Sequence, residues 1–325
     1  MFVKFLKYLT CSIATVVLAI ALANCTTEPV APLRIGANLW TGYETLYLAR
    51  DLGYYDNQPI KLVDYPSGTE EVRAYRNNEI EGAGVSIDQA ISLATSQENI
   101  KIIAIMDISH GGDVILGKPG ITDMKALKGK RVGVEATSLG AFFITRALEK
   151  NGMSVKDIKI VPLKLTEHEL AYKKGDVDAV VTFGPARIKL LASGAKLLFD
   201  SSRIPGEIVD VIAVSTEAIA NHSDTIQALI NGRFRALDYL NNNPQDAAIR
   251  MAKRTQLTPE QILNAFQGLH QPNLQENKEI LNQNNSTFVN SIKKLIQIMV
   301  ENKLISKVID PVTLLDNRFI KNAKF

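Results

Sequence analysis

The sequence predicts an α/β fold of two lobes, each a mainly parallel sheet flanked by helices, with a hinge of two crossing segments. Three observations predict it. The stretch AYRNNEIEGAGVS (residues 74–86) returns 97 positions later as AYKKGDVDAVVTF (residues 171–183). Strand-like and helix-like segments alternate around both copies, a pattern that implies parallel sheets covered on both faces. Finally, KIIAIMDISHGGDVILGKP (101–119) and AKLLFDSSRIPGEIVDVIAVST (195–216) are strand-like but broken by Gly, Pro and Ser, as segments passing between lobes would be.

Taken in order, the first unit reads as strand LRIGAN, a helix from about Thr45, strand IKLVDY, a helix over TEEVRAYRNN, strand GAGVS and a helix from Asp88. The second reads as KRVGVE, a helix from Ser138, IKIVPL, a helix over EHELAYKKG, DAVVTF and a helix from Pro185. Two further matches fall in register: Arg34 to Ala37 lie opposite Arg131 to Val134 at 97, and Ile60 to Val63 opposite Ile158 to Val161 at 98. Ordered matches of this kind argue for a duplicated unit; the alternative is two unrelated units with similar apolar strands. Asn78 and Gly175 fall at helix C-termini, where a left-handed residue is wanted. After Ser215 the pattern turns to helix after helix, with start signals at Asn243-Pro244 and at Thr258-Pro259, where Gln261 completes a capping box. This tail is expected to pack on the first lobe. The boundaries are thus 33–110 plus 210–325 for lobe 1 and 111–209 for lobe 2.

Ahead of the lobes, residues 1–24 carry Lys4 and Lys7 and then an uncharged run to Asn24, the layout of a signal peptide. A retained membrane span is the alternative, but it needs about 20 apolar residues. Residues 25–32 read as a tether. LANC (22–25) resembles the lipobox of bacterial lipoproteins, which implies a lipidated Cys25 holding the protein at the membrane, in the periplasm or on the cell surface. Cleavage after Ala23, which releases a soluble protein, is the other reading.

Composition is that of an ordinary globular chain, with 46% hydrophobic and 22% charged residues. Removing Lys4 and Lys7 from the 37 basic residues leaves 35 against 34 acidic, so there is no electrostatic case for nucleic acid. Cys11 and Cys25 are the only cysteines, which excludes an intramolecular disulfide or a cysteine metal site in a processed chain. The sequence holds no nucleophile elbow, phosphate-cradling loop, HExxH or EF-hand, and the expectation is binding without chemistry, cofactor or metal.

In open α/β sheets ligands gather beyond the carboxyl ends of the strands, where helix starts offer free N–H groups. The loops so placed are NLWTGYE (38–44), SID (86–88), EATSLG (135–140) and TFGP (182–185). Trp40 can stack on a ligand or anchor its own loop. Glu44 can face the cleft or favour the helix dipole, and Ser86 and Asp88 can do the same or cap a helix. Thr137 and Ser138 join hydroxyls to helix-start N–H groups, while Thr182 and Gly184 end a strand with exposed backbone before Pro185. His110 can donate to a ligand or pack at the hinge. His168 reads as structural, beside a capping box of Thr166 and Glu169. Glu44, Asp88, Asp113, Glu135 and Asp210 all fall near the cleft, with only His110 and Arg187 as cationic candidates. Acids lining the cleft would suit an amine-bearing or zwitterionic solute better than nitrate.

LRIGANLWTGYETLYLARDLGYYD, ALKGKRVGVE, GDVDAVVTF and PGEIVDVIAV together resemble the periplasmic solute-binding proteins of ABC importers, in the nitrate, sulfonate, taurine and thiamine-precursor group. The resemblance runs from Leu33 to about Leu304. It implies a two-lobed periplasmic binding protein type II fold and a monomer that is not an enzyme. Such a protein closes on one small solute, sulfonate-, nitrate-, taurine- or thiamine-precursor-like, and delivers it to an ABC permease in the inner membrane. Carried over, the family's cleft loops fall on Trp40, Tyr43 and Glu44, on Ser86 and Asp88, on His110, on Glu135, Thr137 and Ser138, on Thr182 and Gly184, and on Asp210. Enzymes of the thiamine-pyrimidine and menaquinone pathways share the architecture and act in the cytoplasm, so the leader distinguishes the two readings. A sensor domain would need a following transmembrane or kinase segment.

Overall fold

The computed structural model describes residues 31–96, 99–282 and 284–324. The leader, Cys25 and its lipidation, and the tether up to residue 30 lie outside the described residues. Among the described residues no helix is long and apolar enough to cross a membrane.

From Leu33 the first unit runs β1 (Leu33–Ala37), α1 (Glu44–Asp51), β2 (Ile60–Asp64), α2 (Gly68–Arg76), β3 (Gly82–Ser86) and α3 (Ile87–Ser96). Strands β4 (Ile100–Ser109) and β5 (Val114–Gly117) follow. The second unit is β6 (Arg131–Glu135), α4 (Ser138–Glu149), β7 (Lys159–Leu163), α5 (His168–Lys174), β8 (Ala179–Thr182) and α6 (Gly184–Ala192). Next come β9 (Lys196–Asp200) and β10 (Val209–Ser215). The tail comprises α7 (Thr216–Asn221), α8 (Ser223–Asn242), α9 (Pro244–Thr255), α10 (Pro259–Phe266), β11 (Leu269–His270), α11 (Leu274–Ile280), α12 (Ser286–Glu301) and α13 (Arg318–Lys321).

These strands form two sheets, ordered β11-β4-β10-β3-β1-β2 and β7-β6-β8-β5-β9. Parallel pairing is confined to β3-β1-β2 and β7-β6-β8; the remaining strands pair antiparallel, so each sheet is mixed. The antiparallel partners are the strands that carry the chain between sheets. β4 leads into β5 through residues 110–113, and β9 into β10 through residues 201–208. The two crossings are tied together where they meet: Ser201 Oγ lies 2.8 Å from Ser109 Oγ and accepts from Gly111 N at 2.7 Å, and Ser201 N donates to Asp113 O.

The repeat has a physical content. In the first unit the Arg34 guanidinium pairs with Glu81 and donates to Asn78 O, and Arg34 N donates to Glu81 Oε2. In the second, Arg131 pairs with Asp178, donates to Gly175 O, and its N–H donates to Asp178 Oδ2. All three positions are shifted by 97. The strand registers match as well, Ile35 opposite Gly82 in one sheet and Val132 opposite Ala179 in the other. Asn78 and Gly175 both adopt left-handed backbone, at φ 56° and 88°, which lets the chain leave the helix and enter the strand within a few residues.

Helices α8 and α9 pack against α1, placing the tail on the first sheet. The capping box of Thr258 and Gln261 is present, with reciprocal bonds of 3.2 and 3.0 Å, and Pro244 and Pro259 each open a helix. The expected box of Thr166 and Glu169 is absent. Lys164 N instead donates to Glu167 Oε2, two positions earlier, because a short 3-10 turn precedes α5, and this frees Glu169 to pair with Lys173.

One irregularity of β4 bears on function. Asp210 faces Asp107 and Val211 faces Ile105, so Met106 is an extra residue, a β-bulge. The tail satisfies the backbone this releases. Asn277 is fully buried, accepts from Ile105 N at 2.8 Å and donates to Ile105 O at 3.1 Å, while Arg233, also fully buried, donates to Met106 O at 2.7 Å. Replacing Asn277 by Ala leaves a buried N–H without a partner, which costs roughly 1 to 3 kcal/mol. Urea denaturation of Asn277→Ala is expected to show that loss as a lower midpoint at unchanged slope.

Candidate functional site

The register across the first sheet sets three polar residues in a row at its end: Ser86 on β3, Asp210 on β10 and Asp107 on β4. Two aromatic residues from the loop after β1 reach this row. Tyr43 OH donates to Asp210 Oδ1 at 2.5 Å, and Trp40 Nε1 donates to both Asp107 oxygens at 3.0 and 3.2 Å. The loop approaches closely because Gly42 has no side chain; a Cβ there would stand 1.7 Å from Asp107 Oδ2. Asn38 fixes the loop from within, accepting from Trp40 N at 2.9 Å and donating to the buried Glu71 at 3.0 Å.

The second sheet presents Glu135 at the end of β6, Leu139 on α4 and Phe183 after β8. Phe183 meets Trp40 edge to face, with ring centroids 5.5 Å apart and planes at 81°. Ser138 Oγ donates to Asp88 Oδ2 at 2.7 Å, Thr69 N donates to Glu135 Oε1 at 3.4 Å, and Lys164 Nζ lies 2.7 Å from Glu70 Oε1 at the rim. Between these surfaces lies a void of about 10 Å³, the room of about one water. Its walls come from both sheets: Asn38, Trp40, Tyr43, Gly68, Gln89 and Asp210 from the first, Glu135, Leu139 and Phe183 from the second, with Asp113 contributed by the crossing.

Carboxylates dominate the electrostatics. Burial pushes Asp113 and Glu135 up to about 7 and Asp107 up to about 8. Asp210 is raised well above the carboxylate range by burial and then by the neighbouring Asp107, and Asp88 is raised by burial against its bonds from Ser138 and Ser86. Charges of one sign set directly opposite in a sheet repel, so Asp107 and Asp210 cannot both ionise cheaply in this arrangement. Two guanidinium groups oppose the trend from outside the void: Arg187 lowers Asp113, and Arg233 lowers Asp107. Asp113 is 3% exposed, and its Oδ2 has no hydrogen-bond partner among the described residues.

Of the residues expected at the cleft, Trp40, Tyr43, Glu135 and Asp210 line the void. Asp88 and Ser138 bond each other between the two units, and Ser86 donates through its N–H and Oγ to Gln89. Others serve the scaffold where they stand. Glu44 is paired with Arg254, Thr137 caps α4 by accepting from Gly140 N at 3.1 Å, and Thr182 is bonded to the buried His168 at 3.1 Å. Burial pushes His168 down to about 4, so it is neutral at physiological pH. His110 is exposed, its N–H donating to Gly268 O. Gly184, at φ 51°, lies against Leu39 of the first unit, and a Cβ there would stand 2.6 Å from Leu39 O. Sequence reasoning missed Asp107, Gln89 and Gly68, and named Asn38, Leu139 and Phe183 only as members of their loops. Only Asp107 left a signal, as a lone carboxylate inside the apolar strand IKIIAIMDIS.

The sequence is 23% identical over 305 residues to a Bacillus subtilis (strain 168) protein named for the binding of aliphatic sulfonates, covering 90% of this chain and 87% of the other. In fold it is similar to the alkanesulfonate-binding protein SsuA of Xanthomonas axonopodis pv. citri, solved bound to MOPS, with a TM-score of 0.72 at 18% identity over 89% of this chain and 97% of that one. A desulfurization enzyme has the same fold, with a TM-score of 0.65 at 15% identity over 89% and 98% of the two chains. The model of the family described as NMT1/THI5 like matches residues 40–247, and the chain belongs to that family.

Proposed function

We propose that this protein is the extracytoplasmic solute-binding component of an ABC importer. It captures a small polar solute between two lobes, 33–110 plus 210–325 and 111–209, and delivers it to a permease in the inner membrane. The leader exports it, and lipidation of Cys25 holds it at the membrane. The observation that carries this reading is the void walled by both sheets at the carboxyl ends of their strands. Relatives named as binding proteins, one of them an ABC transporter periplasmic binding protein of Brachyspira hyodysenteriae, support it. The shared fold with an enzyme leaves the leader as the feature that favours binding over chemistry.

The mechanism follows from the size of the void. Space for one water admits no organic solute, so the lobes separate about the two crossings to let it in and close to drain the cleft. Across the cleft the units are joined by polar contacts, Ser138 to Asp88, Thr69 to Glu135 and Lys164 to Glu70, and by the Trp40–Phe183 pair. Such contacts form and break with small changes in free energy, which suits a two-state clamp biased by a ligand that touches both sides.

Closure is linked to protons. Asp113 and Glu135 have raised pKa values in the closed arrangement and ordinary values near 4 once solvated. Their contribution to closure is therefore fully present below about pH 4 and is lost as pH rises through about 7. Spin labels on Glu70→Cys and Lys164→Cys, in a chain starting after Cys25 and so free of other cysteines, report the rim distance. In the solute-free protein the long-distance population is expected to grow as pH is raised from 5 to 8. A single distance unmoved by pH would remove the clamp.

Gly184 supplies a second test. Its backbone is left-handed, and a side chain would strike the Leu39 carbonyl across the cleft. Gly184→Val is expected to hold the labels at the long distance at every pH. The strain of a left-handed branched residue adds about 1 to 2 kcal/mol, seen as a modestly lower melting temperature.

A further inference from the structure

We infer that the solute is an organic cation, a compact amine whose N–H groups meet Asp113 and Asp210 and whose carbon frame holds the Trp40 and Phe183 walls apart. The inference rests on the binding reading above and gives it a ligand class. Three features of the void support it.

First, its lining carries three carboxylates, Asp113, Glu135 and Asp210, and no lysine, arginine or histidine. A sulfonate or nitrate entering this space would meet anions or protonated acids and no fixed positive charge. Second, Asp113 is buried with one oxygen unpartnered. A buried acceptor without a donor is costly, and a ligand N–H removes that cost. Third, the aromatic side chains at the void offer the ring surfaces on which ammonium groups and their methylenes rest.

The groups facing Asp113 have been set against this reading. Asp88, Asp107 and Asp210 are carboxyls as well, and any of them that ionises adds to the negative field. Arg187 opposes it, but its guanidinium stands outside the lining and is shared with Asp200. Arg233 lies behind Asp107, bonded to backbone carbonyls. Among the described residues no three His, Cys, Asp or Glu side chains are placed to hold a metal ion, which directs the reading to an organic cation with several N–H donors.

The test uses matched probes that differ only in the charged group: ethylammonium against ethanesulfonate, and benzylammonium against phenylmethanesulfonate. Each is added at about 50 mM, fifty times a millimolar dissociation constant, to the spin-labelled protein at pH 8, where the clamp is expected to stand open. The ammonium members are expected to replace the long distance by a single one between the long and the short and to raise the melting temperature, and the sulfonates to do neither. Asp113→Asn is expected to weaken the ammonium response at least tenfold. That substitution also removes a desolvated carboxylate, so the ligand-free variant should melt no lower than the parent. Closure on the sulfonates and not on the amines would overturn the inference and leave the binding reading standing. An amine response unchanged in Asp113→Asn would overturn the assigned contact. A distance that no probe and no pH moves would end both readings.

Discussion

The arrangement of this protein depends on how buried carboxylates are accommodated where two sheets meet. Asp88, Asp107, Asp113, Glu135 and Asp210 are each at most 5% exposed, and none forms an ion pair with a lysine or arginine at salt-bridge distance. Buried charge without a partner is strongly unfavourable, and in practice such groups hold a proton or find a counter-charge. The acids that meet at the void are therefore held by protons or by counter-charge, and Arg187 and Arg233 are the positive groups that oppose the upward shifts of Asp113 and Asp107.

Hydrogen bonds from the scaffold hold these acids in place. Asp107 points to the site because β4 carries an extra residue at Met106, and the bulge persists because Asn277 and Arg233 from the tail take up the backbone groups it releases. A fully buried guanidinium bonded to carbonyls is an unusual choice for a core. Here it serves two ends, satisfying Met106 O and Pro272 O and placing a positive charge behind Asp107. The helical tail, which lies far from the void in sequence, is thus part of the machinery that aims the first sheet's acids.

Much of the fold was legible because its signals are local. The strand–helix alternation, the left-handed Asn78 and Gly175, and the capping box at Thr258 each involve residues a few positions apart, and the repeat extends the same local pattern. The expectation of mainly parallel sheets was incomplete where the crossing strands turn back, since antiparallel return is set by where the chain must go next. The site was legible as a set of loops, but less so as a set of side chains. Glu44 is near the cleft in sequence and is claimed by Arg254, 210 positions away. Asp107 was hidden in an apolar strand, and its role depends on a bulge and on a partner strand about a hundred residues later. For Trp40 the loop-anchor reading is realised, the indole N–H binding Asp107, and the residue also lines the void.

The duplication also explains why the site is asymmetric. The copies agree at their bases, where Arg34 with Glu81 and Arg131 with Asp178 lock strand to turn in the same geometry. They disagree at their tips. At the shared offset of 97, Asn38 follows β1 where Glu135 ends β6, and Ser86 ends β3 where Phe183 follows β8. The base of each unit is constrained by backbone hydrogen bonds that any working copy must make, whereas the tips are constrained only by what lies between them. At the void the first unit thus presents the Asn38 amide, and the second the Glu135 carboxylate and the Phe183 ring. Two units alike at their bases and different at their tips give a void whose two walls differ in chemistry.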